Sequence, residues 1–333
     1  MLIKKITLTN FRNHASYSLD CQPDTTLILG SNGSGKTSVL EAIYILTRGK
    51  SFRASDPEIL KRDEAFYRIE LEYETGEKIV ATYDGKDKTF TALDKKSRRL
   101  PKKNKYPVVF FEPRDLNLIS GSPSRHRDYF DRFFSQLSEE YNTTLSRYEK
   151  ALKQRNELLK SETTTNADLF SWNLLLAKLG SSLAAFRARF TAEINETLNE
   201  IYHSIAENDD YIKLNYLSDA ANFSENKYFT ELEQNFTRDI YLGHTSFGIH
   251  RDDFNFVFNG RDADGSASRG ETRSIILALK FVEAKSLYEK LHQKPLVLLD
   301  DVFSELDETR RKCLVKNFKD HQVIITSVEN FTD

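Results

Sequence analysis

The feature that most constrains this sequence is the stretch Gly30-Ser31-Asn32-Gly33-Ser34-Gly35-Lys36-Thr37-Ser38. It fits the phosphate-binding loop pattern, in which a glycine and four further residues precede Gly-Lys-Thr. The apolar residues 27–29 before it predict a buried strand, and residues 38–43 after it begin a helical pattern. Such a turn lets backbone N–H groups surround phosphate oxygens, and the helix adds the positive end of its dipole. The stretch therefore predicts an α/β fold that binds a nucleoside triphosphate.

Two side chains of this loop carry a chemical expectation. Lys36 can reach the outer phosphates of a bound nucleotide, and the Thr37 hydroxyl suits a Mg²⁺ ion. The alternative is a glycine- and serine-rich turn that matches by chance, which the flanking strand and helix disfavour. Arg12 and Asn13 follow the first predicted strand, residues 2–9. Arg12 could meet a bound phosphate, but a solvated turn is the simpler interpretation of that arginine alone.

A second apolar run, residues 296–299, ends in Asp300 and Asp301. A strand followed by acidic residues is the second half of a phosphate-loop site, where the first acid holds Mg²⁺ directly or through water. An adjacent acid can orient or deprotonate the attacking water. Because a strand alternates its faces, the two carboxylates cannot do the same work. We therefore assign Asp300 to the metal and Asp301 to the water; the alternative is a strand that ends in an acidic turn.

The segment Ser268-Arg269-Gly270-Glu271 lies directly before a predicted helix, and its residue types favour a helix start. Ser268 and Glu271 have the spacing of a capping box, which requires only local hydrogen bonds. A serine and a glycine at a helix N-terminus also make an anion site. The segment by itself leaves both interpretations open.

The middle of the chain has a different character. Apolar residues recur at steps of three and four through residues 124–206, with a break at 161–166, which predicts two long antiparallel helices. Residues 66–111 have the alternation and turn residues of short β-strands. We expect an ATP-binding head made of residues 1–123 and 208–333, with a β-rich part near 66–111, and an inserted helical arm of residues 124–207.

The net charge of −2 means that no overall positive field attracts nucleic acid, so such binding must rest on a local patch. Residues 95–105 form the densest basic run. Either these residues are a solvated face or they contact a phosphate backbone, and the sequence leaves the two open. The basic residues of the run are Lys95, Lys96, Arg98, Arg99, Lys102, Lys103 and Lys105.

The sequence predicts a cytoplasmic protein. It has no signal-peptide pattern at its start and no run of eighteen apolar residues, so we expect no membrane span. Cys21 and Cys313 lie far apart without a metal-like spacing, as expected for reduced thiols in the cytosol.

Taken together, the motifs resemble the ATP-binding-cassette heads of the SMC class, and within that class the RecF family. The matching segments spread over nearly the whole chain. They are 10–12, 30–37, 111–116, 121–123, 135–137, 153–156, 250–253, 268–271, 300–301 and 304–307. The implied fold is an α/β cassette head with an inserted helical arm.

The resemblance implies a protein that binds ATP and Mg²⁺ and dimerises around the nucleotide. Arg12 and Asn13 would then touch phosphate in their own subunit. The signature residues Ser268, Arg269, Gly270 and Glu271 would face the partner's γ-phosphate, and the segment from Ser304 to Asp307 would line the dimer seam. It further implies binding to DNA at single-strand gaps and junctions, and cooperation with RecO and RecR in loading the recombinase.

Three departures from the cassette pattern qualify these expectations. The signature has Arg269 where transporter cassettes have glycine, the second acid Asp301 is an aspartate in place of glutamate, and no histidine follows the last strand. We therefore predict a weak, DNA-stimulated ATPase with slow turnover that serves as a switch. Two alternatives remain. A transporter ATPase subunit is disfavoured by the long insertion between Thr37 and Ser268, and an SMC-like clamp by the short helical arm.

Overall fold

The structure is a computed structural model that describes residues 2–161 and 163–328 of the 333-residue chain. The strands are β1 (Ile3–Phe11), β2 (His14–Asp20), β3 (Thr25–Leu29), β4 (Tyr67–Tyr73), β5 (Lys78–Tyr83), β6 (Lys88–Ala92), β7 (Lys95–Ser97), β8 (Val108–Phe111), β9 (Ile212–Leu217), β10 (Asp253–Phe258), β11 (Arg261–Asp262), β12 (Leu296–Asp300) and β13 (Val323–Ser327). The helices are α1 (Lys36–Arg48), α2 (Asp56–Ile59), α3 (Pro123–Leu137), α4 (Glu139–Leu158), α5 (Asn166–Ala206), α6 (Glu225–Gln234), α7 (Phe236–Leu242), α8 (Ala263–Ser266), α9 (Arg269–Leu291) and α10 (Glu308–Phe318).

The chain divides into two compact units. The first unit comprises residues 1–115 and 283–333, and the second unit comprises residues 116–282. These bounds differ from the division we expected, because residues 116–123 and 208–282, which we assigned to the head, cluster with the helical region. The physical reason is that β9 and β10 pair with each other and β9 packs on α5, so this stretch buries its apolar side chains within the second unit.

The first unit contains two sheets with α1 between them. A four-stranded parallel sheet has the order β3-β13-β12-β8, and a six-stranded antiparallel sheet has the order β2-β1-β4-β5-β6-β7. Strands β8, β12 and β13 are buried throughout, as expected of apolar runs in a parallel sheet covered on both faces. Helix α1 contacts strands of both sheets, and its residues from Ser38 to Thr47 are all buried.

The parallel register brings three segments that form the candidate site to one edge of this sheet. Because all four strands point the same way, their carboxyl ends meet there, which is where α/β sheets bind ligands. Ser327 of β13 pairs with Leu29 of β3, directly before the phosphate loop, and Thr326 pairs with Asp300 of β12. The loop and the acidic pair are therefore neighbours although about 265 residues separate them in sequence.

The second unit is built around three helices and a three-stranded antiparallel sheet of order β11-β10-β9. The predicted first long helix is two helices, so that prediction was wrong. Ser138 interrupts it with extended backbone, ending α3 and capping α4 by accepting a hydrogen bond from the Tyr141 N–H. A serine hydroxyl competes well for the free N–H groups at a helix start, which favours a new helix at this point. The predicted second helix is α5, which is 41 residues long.

Among the described residues, α5 alone is long and apolar enough to cross a membrane by length and composition. Half of its most apolar 18-residue window is buried within the structure. It packs on α4, α6 and β9 and carries the buried charged side chain Arg187. These contacts describe the core helix of a folded unit.

Candidate nucleotide site

The phosphate loop adopts a backbone that only glycine accommodates at one position. Gly35 caps the start of α1 with a φ of 99°, in the left-handed region. A Cβ atom placed there would lie 2.3 Å from His14 Nε2 and 2.6 Å from Asn13 Oδ1. The loop is tied to the sheet by a hydrogen bond from the Gly30 N–H to the Ser327 carbonyl, 3.2 Å. A side chain at position 35 would therefore push the turn between β1 and β2 away from the loop.

Lys36 lies at the first turn of α1 and is almost completely buried. Its Nζ donates to the Gly30 carbonyl at 2.8 Å and to the Ser31 carbonyl at 3.2 Å. The same ammonium lies 3.6 Å from Asp301 Oδ2. The start of α1, the loop and the acidic pair thus meet at the Lys36 ammonium. Its positive charge would stabilise a phosphate group at this position.

Asp300 is the buried acid of the pair. The Thr37 hydroxyl lies 2.8 and 2.9 Å from its two carboxylate oxygens, and Thr326 donates to Oδ1 at 2.8 Å. Burial raises the pKa of Asp300 above its usual value, and the neighbouring Asp301 adds to this, while the two threonine hydroxyls oppose it. The side chain is therefore oriented by donors on both sides.

Asp301 has different surroundings from its neighbour. Its side chain is 29% exposed, and its φ of 51° lies in the left-handed region that non-glycine residues seldom adopt. The backbone is held there by hydrogen bonds from the Asp301 N–H to the Thr326 carbonyl, 3.2 Å, and to its hydroxyl, 3.0 Å. The reversal turns this carboxylate toward Lys36 and away from the sheet.

Thr326 is a site residue that the sequence motifs did not indicate. It bonds both acidic residues, through its hydroxyl to Asp300 and through carbonyl and hydroxyl to the Asp301 N–H. From the sequence we considered only a histidine after the last strand, and none is present. The available signal was the register of parallel strands, since a hydroxyl residue beside Asp300 on the neighbouring strand can donate to it.

Asn13 and His14 support the loop from the turn between β1 and β2. The Asn13 amide donates to the Gly33 carbonyl at 3.1 Å, and His14 Nε2 lies 3.1 Å from the Gly35 carbonyl. Because a carbonyl only accepts, the His14 proton must be on Nε2. We predicted Asn13 as a phosphate contact; in this structure its amide supports the loop backbone, and His14 is a further supporting residue that we did not predict.

Arg12 is fixed through its backbone and its side chain. Its φ is 56°, and its N–H donates to the Ile59 carbonyl at 2.8 Å. The guanidinium binds the Glu41 carboxylate through Nε and Nη2, at 2.8 and 2.7 Å, and the Glu58 carbonyl through Nη1 at 2.9 Å. Arg12 therefore is not a freely moving residue of a solvated turn.

These groups surround a cleft of about 490 Å³, large enough for a nucleotide. Arg53, from the connection after α1, also lines it. The remaining lining residues are Arg12, Asn13, Asn32, Gly33, Gly35, Lys36, Thr37, Ser38, Glu58, Leu60 and Asp301. Three basic side chains and the start of a helix make this cleft suited to an anionic ligand.

The oxygen atoms at Thr37 and Asp300 also fit a Mg²⁺ ion. This ion prefers oxygen ligands and is bound through one or two protein groups together with phosphates and water. Within residues 2–161 and 163–328, no group of three or more His, Cys, Asp or Glu side chains could hold a metal by itself. A hydroxyl and a carboxylate already in contact match a site that needs a nucleotide phosphate to complete it.

The predicted signature residues lie in the second unit, at the start of α9. Ser268 and Glu271 form the capping box, with the Ser268 N–H on a Glu271 oxygen at 2.6 Å and the Glu271 N–H on Ser268 Oγ at 3.3 Å. Beside them, Arg269 is exposed and Gly270 is half-buried. In the first unit, Ser304 donates to the Asp301 carbonyl at 2.8 Å, and Asp307 caps α10.

The basic run lies at the end of the six-stranded sheet in the first unit. Strand β7 forms its edge, and residues 102–104 make one short 3₁₀ turn. Leu100 is buried, whereas the basic side chains of the run are exposed except Lys105, which is half-buried. Lysines on an edge strand also prevent unwanted strand pairing, so exposure alone does not identify a DNA surface.

Comparison with known proteins agrees with this arrangement over nearly the full chain. Residues 2–332 match the family model described as the RecF/RecN/SMC N terminal domain. The DNA replication and repair protein RecF of Clostridium acetobutylicum is 34% identical over 336 residues, covering 98% of this chain and 92% of that protein. The chain belongs to the RecF family. RecF of Heliobacterium modesticaldum is 36% identical over 352 residues, again covering 98% of this chain and 92% of its own length.

Solved structures extend the RecF comparison to three dimensions. A structure of the recombination mediator protein RecF with ATP, described within the RecFOR pathway, superposes with a TM-score of 0.89 at 29% identity. It covers all of this chain and 93% of that one. A second RecF structure, with the nucleotide named ATPrS, gives a TM-score of 0.88 at 30% identity. The predicted family and cassette-head fold are therefore confirmed.

Proposed function

We propose that this chain binds ATP with Mg²⁺ in the cleft beside the phosphate loop and acts as an ATP-dependent switch in DNA repair and replication. The observation that carries the proposal is the convergence of Lys36, Thr37, Asp300 and Asp301 at the carboxyl edge of the parallel sheet. The RecF relatives, one of them solved with ATP, support the choice of nucleotide. We infer that the protein works in the cytoplasm, on the nucleoid.

Each side chain of the cleft has a distinct part in this proposal. Lys36 neutralises the outer phosphates, and the N–H groups at the start of α1 surround them. Thr37 and Asp300 hold Mg²⁺, which when bound would neutralise negative charge on the phosphates. Asp301, the more exposed acid, orients the attacking water or accepts its proton. Arg12 supplies a further positive charge.

The switch is proposed to operate through dimerisation. Ser268, Arg269, Gly270 and Glu271 of one copy would complete the nucleotide site of the other, with the segment from Ser304 to Asp307 at the seam. The ATP-bound dimer would bind DNA at single-strand gaps and junctions and, with RecO and RecR, help to load the recombinase. The RecFOR pathway named for the solved relatives supports these partners. Slow ATP hydrolysis would end the signal.

Light scattering during size-exclusion chromatography tests the nucleotide, the dimer and the DNA together. We expect a monomer with ADP, a dimer with ATP and Mg²⁺, and a larger complex when gapped duplex is added to the ATP form. Asp301→Asn should accumulate the ATP dimer, because the hydroxyl-bonded metal site remains while water activation is lost. A monomer under every nucleotide condition would refute the dimer model, and equal DNA binding with ATP and ADP would refute the switch.

A further inference from the structure

A buried carboxylate lies directly behind the nucleotide cleft. Glu41 belongs to α1, the helix that begins at the phosphate loop, and its side chain is 0% exposed. An ionised carboxylate in such a position is costly unless positive groups and hydrogen bonds compensate it. Burial by itself raises the pKa of Glu41, but hydrogen bonds from Arg12, Arg53 and Ser51 outweigh this and lower it below its usual value. Glu41 is therefore an anion under ordinary conditions.

The two arginines share one oxygen of this carboxylate. Arg12 reaches Oε2 through Nε at 2.8 Å, and Arg53 reaches the same Oε2 through Nε at 3.1 Å and Nη2 at 2.8 Å. Arg12 also binds Oε1 through Nη2 at 2.7 Å, so its fork is bidentate. Two guanidinium groups repel each other, and a shared anion is what allows them to lie side by side.

The same carboxylate fixes the segment that carries Arg53. Ser51 donates its hydroxyl to Glu41 Oε1 at 2.6 Å and accepts hydrogen bonds from the N–H groups of Arg53 and Ala54, at 3.0 and 3.1 Å. The segment after α1 is thereby folded back onto the helix. Glu41 holds one arginine from the turn after β1 and the other from the connection after α1.

Both arginines line the cleft, and among the described residues each has more N–H groups than the protein acceptors around it use. Their side chains are 21% and 33% exposed, in contrast to the enclosed carboxylate that binds them. Within the described residues, the guanidinium of Arg53 donates hydrogen bonds through Nε and Nη2 alone, which leaves Nη1 able to donate to a ligand. The pair is thus anchored on one side and open to the cleft on the other.

We propose that Glu41 is a positioning residue that assembles Arg12 and Arg53 into one anion-binding pair before the nucleotide arrives. This inference rests on the proposed nucleotide function of the cleft. Glu41 acts through the two arginines and does not touch the ligand. Preassembly removes the conformational entropy that two long side chains would otherwise lose on binding phosphate.

A mutant cycle on the full chain tests this role. ATP affinity is measured with a fluorescent ATP analogue for the parent, Glu41→Gln, Arg12→Ala with Arg53→Ala, and the triple variant. Glutamine keeps the shape but has one acceptor oxygen and no charge, so we expect affinity to fall about tenfold in the parent background. In the background without the arginines we expect a change of less than about twofold, because non-additivity marks groups that act together.

Glu70→Gln is the matched control. Glu70 lies in the same unit and also binds two basic side chains, Arg68 at 2.6 Å and Lys78 at 3.0 Å, but it does not line the cleft. We expect its ATP affinity to equal that of the parent. Urea unfolding identifies variants that fail to fold; if Glu41→Gln is one of them, Glu41→Asp, which keeps the charge but shortens the reach, takes its place in the cycle.

The outcomes separate this inference from the function on which it rests. Lys36→Ala should abolish binding of the analogue whatever Glu41 does, and retained binding would contradict the nucleotide site itself. If Lys36→Ala abolishes binding while the Glu41 change has no effect, or has the same effect with and without the arginines, the positioning role is wrong and the nucleotide site stands.

Discussion

Two arginine–carboxylate clusters in this molecule look alike in composition and differ in what surrounds them. In the first unit, Arg12 and Arg53 bind buried Glu41 and remain partly exposed at the nucleotide cleft. In the second unit, Arg155 and Asp239 are both 0% exposed, with 2.7 Å between Nη1 and Oδ2. Nε of Arg155 donates to Asn173 at 2.7 Å, and Nη1 donates also to Thr245 at 2.8 Å.

The comparison shows how to separate a structural arginine from a binding one. In the buried cluster every nitrogen of Arg155 donates to a protein acceptor, including Nη2 to the Leu232 carbonyl at 3.4 Å. That arrangement ties α4 to α5, α6 and α7, and because Arg155 is 0% exposed no ligand can reach its guanidinium. At the cleft the carboxylate is enclosed while the cations are open. Whether the arginine of an ion pair is exposed to a cleft therefore indicates a binding role better than the presence of the ion pair does.

The largest effect should come from breaking the buried cluster. Asp239→Ala leaves the Arg155 charge without its counter-ion, and we expect a loss of about 3–5 kcal/mol of unfolding free energy in urea. ATP affinity of the folded protein should stay at the parent value, because the cluster lines no nucleotide site.

The control for this variant is Glu193→Ala. Glu193 pairs with Arg189 on the surface of α5 at 3.7 Å, with both side chains more than one third exposed. Such a pair contributes at most about 1 kcal/mol. Equal losses for Asp239→Ala and Glu193→Ala would contradict the distinction between the buried and exposed pairs.

Lys36→Ala should have the opposite pattern: we expect it to lower ATP affinity more than it lowers the free energy of unfolding. Its ammonium bonds only loop carbonyls and Asp301 within the described chain, and these become available to water when it is removed. We expect ATP affinity to fall at least about a hundredfold, or about 2.7 kcal/mol, with a smaller change in unfolding free energy. Calorimetric titration with ATP and Mg²⁺ measures the first, and urea unfolding the second.

The structure brings the phosphate loop and the acidic pair together, and the sequence indicated both because each has a local signature. The phosphate loop lies between an apolar run and a helix, and the acids follow a second run; each of those patterns involves neighbours in sequence. The helices and strands around them follow from apolar periodicity. Ser138 escaped prediction because its effect depends on a single capping hydrogen bond inside a continuous apolar stripe.

Glu41 and Thr326 could not be assigned in the same way. Glu41 stands in a helical pattern where one glutamate has no distinctive spacing, and its role depends on its burial and on two arginines that come from other parts of the chain. Thr326 depends on the register of β12 and β13, which only the assembled sheet defines. The unit boundary at 282 had a similar cause, because pairing of β9 with β10 is a long-range choice.

We expect acid to lower the free energy of unfolding of the second unit, because His250 is protonated more readily in the unfolded chain. Burial lowers the pKa of His250 to about 4, and its ring is held between the Tyr148 hydroxyl at 2.9 Å and the Thr245 carbonyl at 3.0 Å. The folded form therefore binds a proton less readily than the unfolded chain, whose histidine has a pKa of about 6.5. The contribution of neutral His250 to the free energy of unfolding is therefore fully present above a pH of about 6.5. As the pH falls from there toward 4, we expect the free energy of unfolding to decrease by about 1.4 kcal/mol per pH unit.

Urea unfolding at pH values from 7 to 4.5 measures this decline. In His250→Gln the imidazole is absent, so the part of the slope that it causes should disappear, although the variant starts from a lower stability. Other groups also titrate in this range, and for that reason the test is the difference between the two slopes. Parallel slopes for parent and variant would show that His250 does not protonate on unfolding.

The smallest expected effect concerns the basic run at the edge of the six-stranded sheet. If Arg98 and Arg99 contact DNA phosphates, replacing both by alanine should flatten the plot of log affinity against log salt by about 0.9 for each phosphate that is no longer neutralised. Arg62→Ala is the control, because Arg62 is a 92% exposed arginine of the same unit outside the run. Fluorescence anisotropy of labelled duplex with ATP, from about 50 to about 200 mM salt, gives both slopes.

The alternative role of the run predicts a different change. Charges beside β7 could serve to keep this sheet edge from pairing with another strand. In that case the double variant should keep the parent salt slope, as Arg62→Ala does, and should self-associate more readily with rising protein concentration. A reduced slope without self-association would instead assign the run to DNA. The cleft and this edge belong to one unit, so the result would decide whether that unit carries the DNA surface as well as the nucleotide.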